Sequence, residues 1–472
     1  MPEPRILILG GGPAGVGAAR ELARAGKAEV VLVEQHEHLG GNAGSFEAAG
    51  QRLDFGSHRL HPATDPAILE DIRGMLGEEL LDRPRHGRIR LLGKWIHFPL
   101  NPVDLLLRLD KGFAVGSLRD MVVKTVAKPD EGETFASVLR ANLGPTICDE
   151  FYLPYAVKLW GRDPSELSGI QARKRVSAGS FGKLARKVLG AVPGLKKPGA
   201  GRFYYPRRGF GAITEAYAAD AERHGAEIRR GTRVTALQAP RNDGDTWQAT
   251  LEGRSAGTFA ADYVWSTIPV TILARAMRTA PPDEVLEASR AISYRAMVLI
   301  YLHLPVDRFT EYDAHYFPGA DTRITRLSEP KNYAALEEPR GSTVLCAELP
   351  CAVDDEIWKA SDAELGRLVE QDLANAGIPV PAPPQAVFTR RLKQAYPIYL
   401  EGYERPFAVL DDWVEDQPQL LSFGRQGLFA HDNTHHALFM ARSAVDCLDG
   451  GAFDRAKWER YRELFRAHVV ED

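Results

Sequence analysis

Hydrophobic and polar positions alternate between two regimes along the chain, and the regimes mark its elements. Ile6-Leu7-Ile8-Leu9 and Glu29-Val30-Val31-Leu32-Val33 are short, nearly continuous apolar runs. Runs of this kind are buried strands of a parallel sheet, covered on both faces. Between them Val16 to Ala25 has helical composition, and Gly26 can end the helix. Ile68–Leu81, Thr134–Leu143, Ala212–His224, Trp358–Ala376 and Ala437–Leu448 carry helical patterns, as do Val103–Leu109 and Ser117–Ala127. Strand patterns appear at Glu227–Arg229, Thr232–Val234, Trp247–Leu251, Phe259–Trp265, Met297–His303 and Leu420–Phe423. Arg88–Leu92 and Trp95–Phe98 flank Gly93-Lys94 and predict a hairpin that Pro99 ends or confines to an edge. Asp163-Pro164-Ser165-Glu166 reads as a helix start, and Pro379–Pro384 as a rigid connector.

The first of these units carries chemistry. Gly10, Gly12 and Gly15 fit G-x-G-x-x-G between a strand and a helix, through Pro13 and Ala14, and Glu34 stands at the end of the second strand. This is the dinucleotide-binding pattern in its required context. Gly10 permits the sharp turn, Gly12 the approach of a pyrophosphate, and Gly15 close packing of helix on strand. The helix N-terminus offers free N–H groups to the anion, and Glu34 can accept two ribose hydroxyls. A second glycine loop, Gly40-Gly41-Asn42-Ala43-Gly44, follows directly. A nicotinamide site has no use for it, whereas the longer FAD does.

Composition adds limits. The chain has 472 residues, enough for about three domain-sized units. Its 44% hydrophobic and 26% charged residues suit an ordinary globular protein, and a net charge of −4 gives no general argument for nucleic acid. Four cysteines without a C-x-x-C pair fit reduced thiols and a cytoplasmic setting. The chain enters a strand almost at once, which leaves no room for a signal peptide, and no apolar run is long enough to span a membrane. The histidines at 435 and 436 match no zinc spacing, so no metal is expected.

With Asp54-Phe55-Gly56-Ser57-His58 added, these motifs resemble the FAD-dependent superfamily of UDP-galactopyranose mutases, protoporphyrinogen oxidases and amine oxidases. The resemblance implies an α/β fold: a Rossmann-like FAD-binding domain from 1–85, 203–272 and 415–472, a helical insertion at 86–202, and a mixed α+β substrate region at 273–414. It places Gly56, Ser57 and His58 against the flavin, with a buried structural histidine as the alternative for His58. Val234 would offer its backbone to the adenine, Arg425 after Gly424 would reach the pyrophosphate, and Asn433, Thr434 and His435 would aim a helix N-terminus at the flavin.

Phe151–Leu167 resembles the mutase segment that holds the nucleotide, which makes Tyr155 and Trp160 candidate substrate contacts; core packing is the alternative reading. Lys174 or Arg175, and Arg326 in Arg323–Leu327, match the arginines that bind a diphosphate; a solvated charge run and a rim ion pair are the alternatives. Where mutases have phosphate-binding tyrosines, this chain has His431 and Phe407. His58, Arg326 and His431 are the candidate catalytic residues. Three functions follow as expectations: an FAD-dependent oxidoreductase taking hydride from a polar, phosphorylated or nucleotide-linked small molecule; a mutase interconverting pyranose and furanose nucleotide sugars; or a non-catalytic FAD-binding protein. A homodimer is compatible with this reading. Phe181–Lys197 is basic and amphipathic, suited to a membrane surface or an ordinary exposed helix.

Overall fold

The apolar run Arg5–Leu9 (β1) is the centre of a five-stranded parallel sheet in the computed structural model. Residues 3–98, 108, 112, 113, 115–117, 119, 120, 133–175, 201–242 and 244–470 are described. The basic segment 181–197 and most of the helices expected at 103–109 and 117–127 lie outside them. β1 pairs with Glu29–Val33 (β2) on one side and Tyr263–Ser266 on the other, with Ile8 opposite both Leu32 and Trp265. Glu227–Arg229 and Leu420–Ser422 are the outer strands. Three separate stretches of chain thus meet in one sheet.

Both faces of the sheet are covered, which is why its strands read as unbroken apolar runs. Ile6, Ile8, Val30 and Leu32 pack under the helices Pro13–Ala25 (α1), Ala212–Arg223 and Thr434–Asp446. Leu7, Leu9, Val31 and Val33 face Leu237, Trp247 and Leu251 of a three-stranded antiparallel sheet. Gly17 of α1 lets the Thr434–Asp446 helix close in: a Cβ there would stand 3.0 Å from that of Ala441.

A second sheet has seven strands, ordered Ala386–Ile398, Ser293–Leu304, Thr343–Cys351, Arg326–Ser328, Ala314–Tyr316, Gly87–Leu91 and Lys94–Phe98. Its long central pair buries Val298, Ile300, Leu345 and Ala347.

Several boundaries differ from the sequence reading, each for a local reason. The helix expected to run to Leu81 spans Pro66–Leu76; Asp65 caps its start through the N–H groups of Ala67 and Ile68, and Gly77 ends it with φ 55°. Leu80–Pro84 is then a strand paired with Arg202–Pro206. The hairpin turns on Leu92-Gly93, both with positive φ, one residue before the expected pair. Asp163 begins a turn, accepting from the N–H and hydroxyl of Ser165, and the next helix is Gly169–Arg175. The helix expected over Trp358–Ala376 is broken at Ala360-Ser361, where Ser361 and Glu364 form a capping box. The last cofactor-side helix starts at Thr434 rather than Ala437, because Asn433 and His436 cap it.

Candidate functional site

The dinucleotide end is built by close backbone contacts. Gly10 turns with φ 98°, and a Cβ on Gly15 would lie 1.9 Å from the Gly10 carbonyl oxygen. A Cβ on Gly12 would meet nothing within 4 Å. That open space lies at the N-terminus of α1, where helix N–H groups are unsatisfied, and it fits a pyrophosphate. The second loop folds onto the first: Gly40 N–H donates to the Gly11 carbonyl at 2.8 Å, and Gly41 sits over Gly12. From the end of β2, Glu34 accepts the Gly11 N–H at 2.8 Å and the His36 N–H at 2.9 Å. Beside it Thr232 N–H donates to the Glu34 carbonyl, and a register shift after Val234 interrupts that strand's pairing. The Asn42 amide donates to the Gln394 carbonyl, while Ala43 is packed in the core. Gly424 closes the site from the far end of the chain, with its Cα against Ala14, where a Cβ would come within 2.7 Å.

The next part is a buried ionic network. Glu348, almost inaccessible on the strand Thr343–Cys351, receives two bonds from Arg326 (Nε at 2.9 Å, Nη2 at 2.8 Å) and one from the Ser57 N–H at 2.8 Å. Gly56 adopts φ 93° directly above it. Burial alone would depress the Arg326 guanidinium, but the Glu348 carboxylate overrides this and raises it well above its ordinary value. His58 Nε2 lies 3.0 Å from the Phe55 carbonyl, and the ring stacks on Phe210. Burial lowers its pKa more than Asp54 restores it, which leaves the ring neutral at pH 7. Arg59 adds a second buried cation, bound to Asp313 and to the hydroxyls of Tyr316 and Tyr333. Beneath the loop, Asp54 accepts from Ser45 and Tyr205 hydroxyls and the Phe210 N–H, and so locks the Gly44-Ser45 turn.

The C-terminal arm completes the site. Arg425 donates to the Asp432 carbonyl at 2.8 Å and the Ala395 carbonyl at 3.0 Å, and its guanidinium lies over Tyr396. These bonds shape the loop before the Thr434–Asp446 helix. His431 is buried; its Nε2 lies 2.8 Å from the Pro397 carbonyl and 3.0 Å from the Gln171 amide nitrogen. Trp160 meets His431 edge-on within a core cluster that includes Phe135 and Leu159. Lys174 donates to the Arg466 and His468 carbonyls. The Arg175 side chain lies outside the described residues. Tyr155 stacks on Phe151 at 6.2 Å.

Tyr396 joins the two halves: its hydroxyl is close enough to act on the charge of Arg326, and its ring packs with Arg425 and His431. The structure therefore brings together Ser57, His58, Arg326 and Arg425. It sets Trp160 and His431 in packed interior, and it ties Lys174 to the C-terminal segment. Glu348, Tyr316 and Tyr396 are additions. A lone acid inside Val344-Leu345-Cys346-Ala347-Glu348-Leu349 is the signal that marks Glu348, since an acid in a buried strand needs a partner.

Burial also has a consequence for pH. His315 and His435 are held neutral by burial, with neighbouring Arg88 and His436 respectively adding to the effect, and both are pushed down to about 3. Between about 3 and the ordinary 6.5, the unfolded chain binds protons that the folded chain does not. Stability should therefore fall as pH drops below about 6.5, with about two protons taken up per unfolding event near pH 5 from these groups. Denaturant midpoints measured from pH 7 to 4.5 check this; a flat profile contradicts it.

Comparison with known proteins agrees with this geometry. The family model described as flavin containing amine oxidoreductase matches residues 13–439. A phytoene dehydrogenase of Streptomyces griseus is 26% identical over 271 residues, which are 50% of each chain. A probable UDP-galactopyranose mutase of Klebsiella pneumoniae is 25% identical over 174 residues, 35% of this chain and 44% of that protein. The chain thus spans about half the length of these relatives or less. Reduced UDP-galactopyranose mutase superposes with a TM-score of 0.81 at 20% identity, covering 99% of this chain and 100% of that one. A protoporphyrinogen oxidase homologue from Exiguobacterium sp. gives 0.74 at 19% identity, covering 94% and 98%. At these identities the superpositions speak for the fold, whereas the family match carries the cofactor and the enzyme class. The chain belongs to the flavin-containing amine oxidoreductase family and is an FAD-dependent flavoenzyme.

Proposed function

We propose that the chain is an oxidoreductase that takes a hydride from a C–H bond of a polar small molecule seated beside Ser57, His58 and Arg326. Bound FAD supplies the two-electron acceptor. The observation that carries this reading is the commitment of Arg326. The Nε–Nη2 edge of its fork is taken by Glu348, so the ion pair offers a polar, nearly neutral wall rather than a free cation for a diphosphate. Lys174, with its bonds to two carbonyls, and Trp160, in the core, support the same reading. In this role Glu348 holds the Ser57 backbone and Arg326 in fixed relation, and neutral His58 can accept or donate a proton at its ring. The site is proposed to lie in the cytoplasm; among the described residues no helix is long and apolar enough to cross a membrane.

The end-to-end superposition on a mutase favours a second reading, redox-neutral isomerisation of a nucleotide sugar. Anaerobic titration of the yellow holoenzyme with amines, alcohols and nucleotide sugars separates the two. Bleaching of the flavin by an amine or alcohol alone is the expected result. Turnover of a nucleotide sugar only after dithionite, with no net oxidation, would replace the first reading by the second. Arg326→Ala should then raise KM for a nucleotide sugar at least tenfold and for an uncharged substrate little; equal effects on both would remove any phosphate role for Arg326.

A further inference from the structure

One cluster beside this site has no part in the reading above. Asp432, His436 and His468 each present a ligand atom, all within 4.8 Å of one another. The Asp432 side chain is fully enclosed, and its Oδ1 has no hydrogen-bond partner among the described residues. The nearby imidazole nitrogens stand off from the carboxylate: His436 Nδ1 is 3.7 Å from Oδ1, and His468 Nδ1 is 3.5 Å from Oδ2. Such distances are at or beyond the limit of a hydrogen bond. They are close to the separation of about 3.3 Å between two ligands that each lie about 2.0–2.1 Å from a tetrahedral ion. A buried carboxylate oxygen without a donor is costly, and a cation removes that cost.

The two rings are arranged alike. His436 and His468 stack with centroids 4.2 Å apart and planes at 14°, both turned to the same carboxylate. The Asn433 N–H donates to His436 Nδ1 at 3.2 Å and orients the ring; ligation through either ring nitrogen gives up that bond, because the neutral ring has a single lone pair to offer. Lys174 is the nearest opposing charge. It faces Asp432, but its donated bonds go to the carbonyls of Arg466 and His468, and Val470 N–H returns a bond to the Lys174 carbonyl. Lys174 therefore fastens the segment that carries His468 and leaves Oδ1 without a donor.

We propose that Asp432, His436 and His468 form a binding site for a divalent cation of the zinc type, which pins the C-terminal segment to the start of the Thr434–Asp446 helix. Two imidazoles and one carboxylate suit borderline ions such as zinc, with the fourth position left to water. The site escapes a reading of spacing because His468 comes from a separate segment beyond the last helix.

The test uses the full-chain flavoprotein, stripped with EDTA, then loaded with zinc sulfate and desalted. About one zinc per chain should remain, and the thermal midpoint should rise with zinc concentration. Asp432→Asn and His468→Ala should each bind zinc at least tenfold more weakly by calorimetry, while His97→Ala, on the strand Lys94–Phe98, should bind as the wild type does. If Asp432→Asn fails to fold, wild type against His468→Ala decides, since His468 follows the last helix. Wild type that retains no zinc, or binds it no better than His468→Ala, overturns the proposal.

Discussion

Gly12→Ala should fold as the wild type does and yet lose its FAD. The added methyl meets no protein atom within 4 Å, and Gly12 has φ −73°, which alanine adopts freely. The apoprotein should therefore melt within about 2 °C of wild-type apoprotein, as surface substitutions do. But that methyl occupies the cradle at the N-terminus of α1, where a pyrophosphate needs the backbone N–H groups bare. FAD affinity should fall at least tenfold, about 1.4 kcal/mol, read by flavin fluorescence titration. Gly15→Ala is the contrasting case. Its Cβ would sit 1.9 Å from the Gly10 carbonyl oxygen, so helix and strand must separate, and the variant should lose stability as well as cofactor. Wild-type FAD binding by Gly12→Ala would place the pyrophosphate elsewhere.

Glu348→Ala should destabilise the fold by about 3–5 kcal/mol, because it strands the Arg326 guanidinium in the interior without its partner. The same change frees the Ser57 N–H, so the loop beside the flavin loses its anchor as well. Glu348→Gln keeps the shape and one acceptor and should lose less. Replacing both residues, Glu348→Leu with Arg326→Met, should recover much of the loss, since a packed apolar pair requires no desolvated charge. Urea midpoints of the four proteins measure this directly. A double variant less stable than Glu348→Ala would mean that the pair is worth more than its desolvation.

The adenosine–pyrophosphate end was legible in the chain because backbone geometry dictates it. Gly10, Gly15 and Gly40 stand where a side chain would collide or φ must be positive, and such positions leave a mark in sequence. The region around Arg326 was only half legible. The cation is visible in the chain, but its partner lies on the next strand, opposite in register, and pairing across a sheet leaves no local pattern. Trp160 and His431 are the reverse case. A family resemblance made them site candidates, and the structure packs them closely against Phe135, Tyr396 and Tyr399. Helix ends were misread where a cap, not periodicity, decides them, as at Asp65, Ser361 and Asn433. In two of these three cases the capping residue is followed at three by a reciprocating side chain, Glu364 or His436.

The contact of Gly424 with Ala14 has a bearing on how the protein comes into being. Pro13 and Ala14 leave the ribosome long before Gly424 and the helix that packs on Gly17. At about 5–20 residues per second the nascent chain spends on the order of half a minute with the glycine loops made but the far wall of the cradle missing. Throughout that interval the face of α1 that will meet Leu438 and Ala441 is bare, and the strand Tyr263–Ser266 lacks its outer neighbour Leu420–Ser422. Capture of the flavin thus waits for the segment from Gly424 onward, and a chain stopped short of Thr434 would leave the ribosome colourless.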